Sequence, residues 1–155
     1  MGRKNVIGLI FQLKTSKGPA YGLCTHEDTE YCQLVYLYPI GTQLSKLKDA
    51  TTQFCCFFPL RIALRQKIMK EIIKEVGRIE IPTQLKDFPL FRVRMIPSNG
   101  PGKFHHWGFW DGQKAWFVGE INDEQRKMPI RGIWNDTLII ERLEEGYIAE
   151  NDPSL

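Results

Sequence analysis

Short runs of apolar residues separated by polar turns predict strands in the first third of the chain. The apolar run at residues 6–13 is followed by the turn sequence Lys-Thr-Ser-Lys-Gly-Pro at residues 14–19, and apolar character returns at residues 20–24. A turn containing Gly and Pro between two such runs is typical of a β-hairpin. Two more strands are predicted at residues 32–38 and 54–58. The second is expected to be buried on both faces because its apolar run is continuous.

The apolar spacing changes after Pro59. Apolar residues then recur every four positions from Leu60 to Val76, with Arg and Lys side chains between them. This period predicts one amphipathic helix over residues 60–76, ended by Gly77. It would be the main helix of the protein. Three of its side chains are expected to face the sheet: Leu64, Ile68 and Ile72.

Strand-like runs return in the second half of the chain. Residues 88–96 alternate in part and predict another strand. Aromatic runs at residues 106–110 and 115–119 lie on either side of Asp111 and Gly112. Because Asp-Gly favours the tight turns that join antiparallel strands, these runs predict a second hairpin.

A short amphipathic helix closes the pattern. Asn135 or Asp136 is expected to cap its start, and it should run to about Glu145 and end at Gly146. The whole pattern predicts a single α+β domain over residues 1–155, with an ordered core at about residues 5–148. Its expected architecture is a curved, mainly antiparallel sheet or a partly open barrel, packed on one main helix with the short helix at the C-terminal end.

Composition and charge narrow the classes of partner. In a chain of 155 residues, 43% are hydrophobic, which is enough for a core without disulfides or metal. The formal net charge of +3 is close to balance and argues against a nucleic-acid surface, which is usually strongly basic. No apolar run approaches the roughly 20 residues that span a bilayer, so no membrane partner is expected. Four cysteines without the apolar core of a signal peptide favour a reducing cytoplasm and no disulfide.

Candidate chemical groups do not assemble into a recognisable reaction centre. Cys24, His26 and Cys32 are possible soft metal ligands, and His105 or His106 could add a fourth. Their spacing matches no standard zinc site, so no metal is expected. The chain has no Gly-rich phosphate loop and no visible set of nucleophile, base and orienting group, so neither a cofactor nor a catalytic residue is predicted.

Aromatic residues concentrate between Phe104 and Phe117, and two interpretations compete. Core packing accounts for most of such residues. Strand alternation would also place some on the opposite face, where aromatic side chains are typical of protein-binding surfaces. The predicted partner-binding residues are Trp107, Trp110, Glu120, Asp123 and Glu124, the acidic ones being suited to a basic partner.

Two short segments near the start of the chain are Gly-Leu-Ile-Phe-Gln-Leu at residues 8–13 and Ala-Tyr-Gly-Leu at residues 20–23. They resemble the opening hairpin of the Immunity protein 26 family, whose members are small bacterial proteins associated with polymorphic toxin systems. The resemblance continues through residues 76–82, 88–91, 107–116 and 134–143. These segments together extend over nearly the whole chain.

The resemblance implies a cytoplasmic interaction protein that neutralises a cognate toxin domain by occlusion, without turnover chemistry. The alternative is a small enzyme or a nucleic-acid-binding domain. That alternative would use the region from His105 to Trp110 and the basic face of the predicted helix at residues 60–76.

Overall fold

The computed structural model is an α+β protein with two antiparallel sheets and few helices. It describes residues 5–66, 71–95 and 106–152. The chain divides into two compact units, one formed by Met1–Asp87 and Gly132–Tyr147, the other by Phe88–Arg131 and Ile148–Leu155. Folding of residues 1–155 as a single domain stays a prediction.

The first unit contains a five-stranded sheet in the order β4-β3-β2-β1-β5. The predicted first hairpin is confirmed, since β1 and β2 pair antiparallel across the turn that places Thr15 opposite Gly18. The strands are β1 Leu9–Thr15, β2 Gly18–Asp28, β3 Cys32–Leu37, β4 Phe54–Phe58 and β5 Ile73–Arg78.

Alternation along β1 builds the core of this unit. Leu9, Phe11 and Leu13 are all fully buried in one hydrophobic cluster. Phe11 lies opposite Gly22 on β2, where a Cβ atom would overlap the phenyl ring. The sheet therefore needs glycine at this position so that the large ring can lie across the neighbouring strand.

The prediction of one main helix over residues 60–76 is wrong. Helix α1 covers only Leu60–Arg65, and the chain forms β5 from Ile73 onward. Strand β5 pairs antiparallel with the outer edge of β1, and Leu13 lies opposite Ile73. The β-branched residues Ile73 and Val76 suit an extended strand. Pairing with β5 also gives hydrogen-bond partners to the main-chain N–H and C=O groups along the edge of β1, which a helix in this segment could not supply.

The three side chains expected on that helix have different environments. Leu64 packs against the core cluster from α1. Ile72 is half-buried, and its carbonyl oxygen accepts a hydrogen bond from the Lys14 N–H at 2.8 Å. The remaining residue, Ile68, lies outside the described residues.

The predicted C-terminal helix is confirmed as α2, Asp136–Glu145. The Asn135 side chain accepts a hydrogen bond from the Leu138 N–H at 2.8 Å, which satisfies one of the amides left open at the helix start. Gly146 follows with a positive φ of 71°, a C-terminal cap that glycine adopts without strain. The buried face of α2 contributes Ile139 and Leu143 to the core cluster.

The second unit contains a three-stranded sheet, β6-β7-β8. The predicted hairpin is confirmed: β7 and β8 pair antiparallel on either side of Asp111 and Gly112. The antiparallel character that the sequence predicts is confirmed, but the described strands form two sheets, neither of them closed, instead of one curved sheet or a partly open barrel. The strands are β6 Phe91–Arg94, β7 Trp107–Trp110 and β8 Ala115–Gly119.

Candidate protein-binding surface

Trp107, one of the two predicted contact tryptophans, is buried in the second unit. Its residue surface is only 3% exposed. The guanidinium carbon of Arg92 lies 4.8 Å from the centre of the indole ring, and that of Arg94 lies 5.6 Å away. Stacking with two cations stabilises the ring in place.

Trp110, the other predicted contact tryptophan, is also buried, at 6% exposure. The ring centres of Phe88 and Phe91 each lie 5.6 Å from its own, and the Arg131 guanidinium lies 5.1 Å from it. The expectation that Trp107 or Trp110 lies on an exposed face is therefore wrong. The bulky aromatic side chains of β7 supply the core that this small sheet needs.

A buried arginine organises the same unit. Arg92 is fully buried, and its Nε and Nη2 donate to the carbonyl oxygens of Met128 at 3.0 Å and Ala149 at 2.6 Å. Its backbone N–H donates to the Pro129 carbonyl at 2.9 Å. Arg92 thus joins two irregular segments to β6, which is a structural role.

The exposed aromatic side chains of the unit belong instead to β8. Trp116 is 37% exposed and Phe117 is 53% exposed. Because neighbouring residues of a strand point to opposite faces, each face of β8 presents one ring. The ring of Phe109 meets Trp116 edge-on at 6.2 Å, and the ring of His106 stacks on Phe117 at 5.8 Å. These contacts hold both rings at the strand while leaving part of each in solvent.

The backbone of β8 has an open side, since no described strand pairs with its outer edge. The Asp111 N–H donates to the Lys114 carbonyl at 3.2 Å, and the Trp116 carbonyl oxygen faces Gly108 of β7. Hydrogen-bonding groups of an antiparallel strand alternate in direction, so those of Ala115 and Phe117 point away from β7. A β-bulge at Val118 then breaks the pattern, because Gly108 lies opposite Phe117 while Trp107 lies opposite Gly119.

The predicted acidic residues follow β8 directly. Glu120, Asp123 and Glu124 are all exposed. Glu124 forms an ion pair with Lys127, the carboxylate and ammonium lying 3.2 Å apart, and this raises the pKa of Lys127. Part of the negative charge is therefore balanced locally. No ion pair of Glu120 or Asp123 is found among the described residues.

The soft metal ligands considered in the sequence do not converge. Among the described residues, no three His, Cys, Asp or Glu side chains are grouped so as to hold a metal ion. The His26 ring lies 2.9 Å from the Lys86 carbonyl through Nε2 and 2.8 Å from the Thr25 hydroxyl through Nδ1. Since a carbonyl only accepts, Nε2 carries a hydrogen and donates it to Lys86, so this nitrogen is not available to a metal ion. His105 lies outside the described residues.

The four cysteines are free thiols. Burial raises the pKa of Cys24 and of Cys55 to about 12, and it raises the pKa of Cys56 well above its usual value. Because the thiolate is the reactive form, these thiols remain protonated and unreactive at neutral pH.

A charged cluster in the first unit has a structural explanation. The Arg61 side chain donates two hydrogen bonds to the Glu27 carboxylate, and its Nη2 lies 2.9 Å from Oε1. Gln33 donates to the same carboxylate at 2.8 Å and accepts from the Arg61 N–H at 3.1 Å. The cluster ties α1 to β2 and β3, and its groups satisfy one another.

A second surface feature is a groove of about 670 Å³ in the first unit. Lys14, Lys74 and Glu71 line it, and all three are exposed. Mixed charges on an open surface are typical of a solvated face, so the exposed strand β8 is the stronger candidate site.

No helix among the described residues is long and apolar enough to cross a membrane. Comparison of the chain with protein-family models, with curated proteins and with solved structures finds no match in any of the three.

Proposed function

We propose that this protein acts by binding another protein, and that its partner is a bacterial toxin domain that it neutralises by occlusion. The observation that carries the proposal is the pair of exposed rings on β8, Trp116 and Phe117. Large aromatic side chains are enriched among the residues that dominate binding energy at protein interfaces. An exposed apolar edge strand promotes aggregation unless a partner covers it.

The backbone of the same strand supports this mode of binding. The N–H and C=O groups of Ala115 and Phe117 that point outward can pair with an extended segment of the partner. Such a segment would extend the sheet beside β8. One of the two exposed rings would then lie next to it on each face of the sheet. Main-chain hydrogen bonds would supply affinity, and the rings would select the partner's side chains.

The acidic residues after β8 adapt this surface to a basic partner. Glu120 and Asp123 are exposed and follow the strand in the chain, whereas Glu124 is already paired with Lys127. Charges at the rim of an interface mainly raise the association rate. A basic toxin domain, such as one that acts on nucleic acid, fits this charge.

Co-expression with a basic toxin domain from a neighbouring gene tests the proposal. The wild-type protein should restore growth, and the Trp116→Ala, Phe117→Ala double variant should fail, since each ring is expected to contribute about 2 kcal/mol or more. The matched control is Ile62→Ala, which removes an apolar side chain that is also 53% exposed but lies on α1. Equal protection by the double variant and the control would exclude β8 as the binding surface.

A further inference from the structure

The sequence around Trp116 is complementary to itself across the open edge of β8. If two copies of this strand pair antiparallel with Trp116 opposite Trp116, Ala115 of one copy lies opposite Phe117 of the other. These are the two residues whose main-chain groups point outward. Each Ala115–Phe117 pair would therefore exchange reciprocal hydrogen bonds, and the ladder would end before the bulge at Val118.

The side chains fit this register on both faces. The exposed ring of Phe117 would lie over the small side chain of Ala115 from the second copy. The two-fold axis repeats this pair, so each large ring has a small side chain opposite it. On the other face, Trp116 would meet Trp116 in a pair without direct hydrogen bonds, where Cα atoms approach to about 4.5 Å. Aromatic pairs across neighbouring strands stabilise a sheet.

Charge at the ends of the strand agrees with the same register. Lys114 and Glu120 are both exposed, one before β8 and one after it. In an antiparallel pair, the end of β8 next to Lys114 in one copy lies beside the end next to Glu120 in the other, so charges of opposite sign lie near each end of the ladder.

We propose that, in the absence of its partner, the protein forms a homodimer in which β8 pairs antiparallel with β8 of a second copy about a two-fold axis at Trp116. The two three-stranded sheets become one six-stranded sheet, since each contributes three strands. An interface of this symmetry closes on itself, so the β8 strands of the two copies cover each other and neither is left to pair with a third copy. This inference goes beyond the proposed function and does not depend on it, although the dimer covers the strand that a partner would use.

Cysteine cross-linking of the protein alone tests the register. In the proposed dimer, Trp116→Cys places two thiols across the axis, within the Cα separation of about 4.4–6.8 Å that a disulfide spans. Ala115→Cys and Phe117→Cys are matched controls, because identical residues there are diagonal neighbours about 7–8 Å apart. The wild type measures cross-linking through the four native thiols, which every variant also contains.

With copper phenanthroline as the oxidant, Trp116→Cys should give a covalent dimer on a non-reducing gel at a yield several-fold above both controls. Equal yields for the three variants, or no dimer from Trp116→Cys, would overturn the proposed register.

Sedimentation equilibrium of the unmodified chain is the second measurement. The wild type should show a concentration-dependent dimer. Phe117→Pro should raise the dissociation constant about tenfold or more by removing the outward N–H donor and the ring. Proline is tolerated on an edge strand whose N–H faces solvent, so the monomer should keep its circular dichroism spectrum and melting temperature. A wild type that remains monomeric at millimolar concentration would contradict the homodimer, whatever the outcome with the toxin domain.

Discussion

Two edge strands of this protein, β5 in the first unit and β8 in the second, have opposite surfaces. Strand β5 exposes Lys74, Glu75 and Arg78, and charged side chains on an edge oppose pairing with another chain. Strand β8 exposes Ala115, Trp116 and Phe117 instead. The contrast indicates that the charged edge of β5 opposes association with another chain, whereas the aromatic edge of β8 favours it. For this reason β8 is the candidate binding surface.

The first prediction concerns the buried and exposed tryptophans of the second unit. Trp110→Ala should lower the free energy of unfolding by about 3–5 kcal/mol, because the cavity would lie among Phe88 and Phe91. Trp116→Ala should cost about 1 kcal/mol or less, since its ring is partly solvated in the folded protein. Urea denaturation followed by circular dichroism measures both. Similar losses for the two variants would mean that the rings of β8 are part of the core.

The second prediction exchanges the chemical character of the two edge strands, making β8 charged and β5 apolar. Phe117→Lys gives β8 a charged edge and should weaken binding of the proposed toxin partner by about a hundredfold, as expected for loss of a central aromatic contact. Lys74→Phe gives β5 an apolar edge and should leave that affinity unchanged. Titration calorimetry measures both constants. An equal loss from the two substitutions would show that binding does not distinguish the edges.

The third prediction compares two acidic residues beside β8. Asp123→Lys should slow association with a basic partner by several-fold at low salt, with little change in the dissociation rate. Glu124→Lys should have the smaller effect, because Lys127 already balances the wild-type carboxylate. Surface plasmon resonance at two salt concentrations separates the rates, and the difference should shrink as salt screens the charges.

The smallest expected effect is the pH dependence of the β7–β8 turn. The backbone N–H groups of Lys114 and Gln113 donate to the Asp111 carboxylate and hold its pKa below the usual value. A group whose pKa is lower in the folded state stabilises the fold above its unfolded pKa, and this contribution disappears as pH falls through the folded pKa. Asp111 should therefore stabilise the hairpin fully at neutral pH, and this stabilisation should begin to decline below about pH 4 and disappear once pH falls below the lowered pKa of the folded protein.

Asp111→Asn provides the comparison for this effect. The variant should flatten the acid limb of the stability profile measured by thermal melting at a series of pH values. An unchanged acid limb would show that the Asp111 carboxylate makes no pH-dependent contribution to the turn.

Local signals account for the parts of the fold that the sequence predicts correctly. The turns at residues 14–19 and at Asp111 lie between the strands they join, and the caps of α2 adjoin the helix. Strand β5 differs because its partner β1 is distant in the chain. The four-residue apolar spacing at residues 60–76 favours a helix locally, but pairing with β1 outweighs it.

The candidate site is hard to predict for the same reason. Trp107, Trp110 and Trp116 occupy similar aromatic runs, and the order of strands decides which of them is exposed. Strand β7 lies between two neighbours and buries its rings, whereas β8 lies at the edge. The sequence indicates an aromatic hairpin but does not say which of its strands forms the edge.

Hydrogen exchange of the β8 amides on binding tests the central claim most directly. Exchange is measured for the protein alone, at a concentration where it is monomeric, and for the protein saturated with the proposed toxin partner. The amides of Ala115 and Phe117, which point away from β7, should exchange about a hundredfold more slowly in the complex, while those of β5 keep their rates. Unchanged exchange at Ala115 and Phe117 in a formed complex would contradict the assignment of β8 as the binding edge.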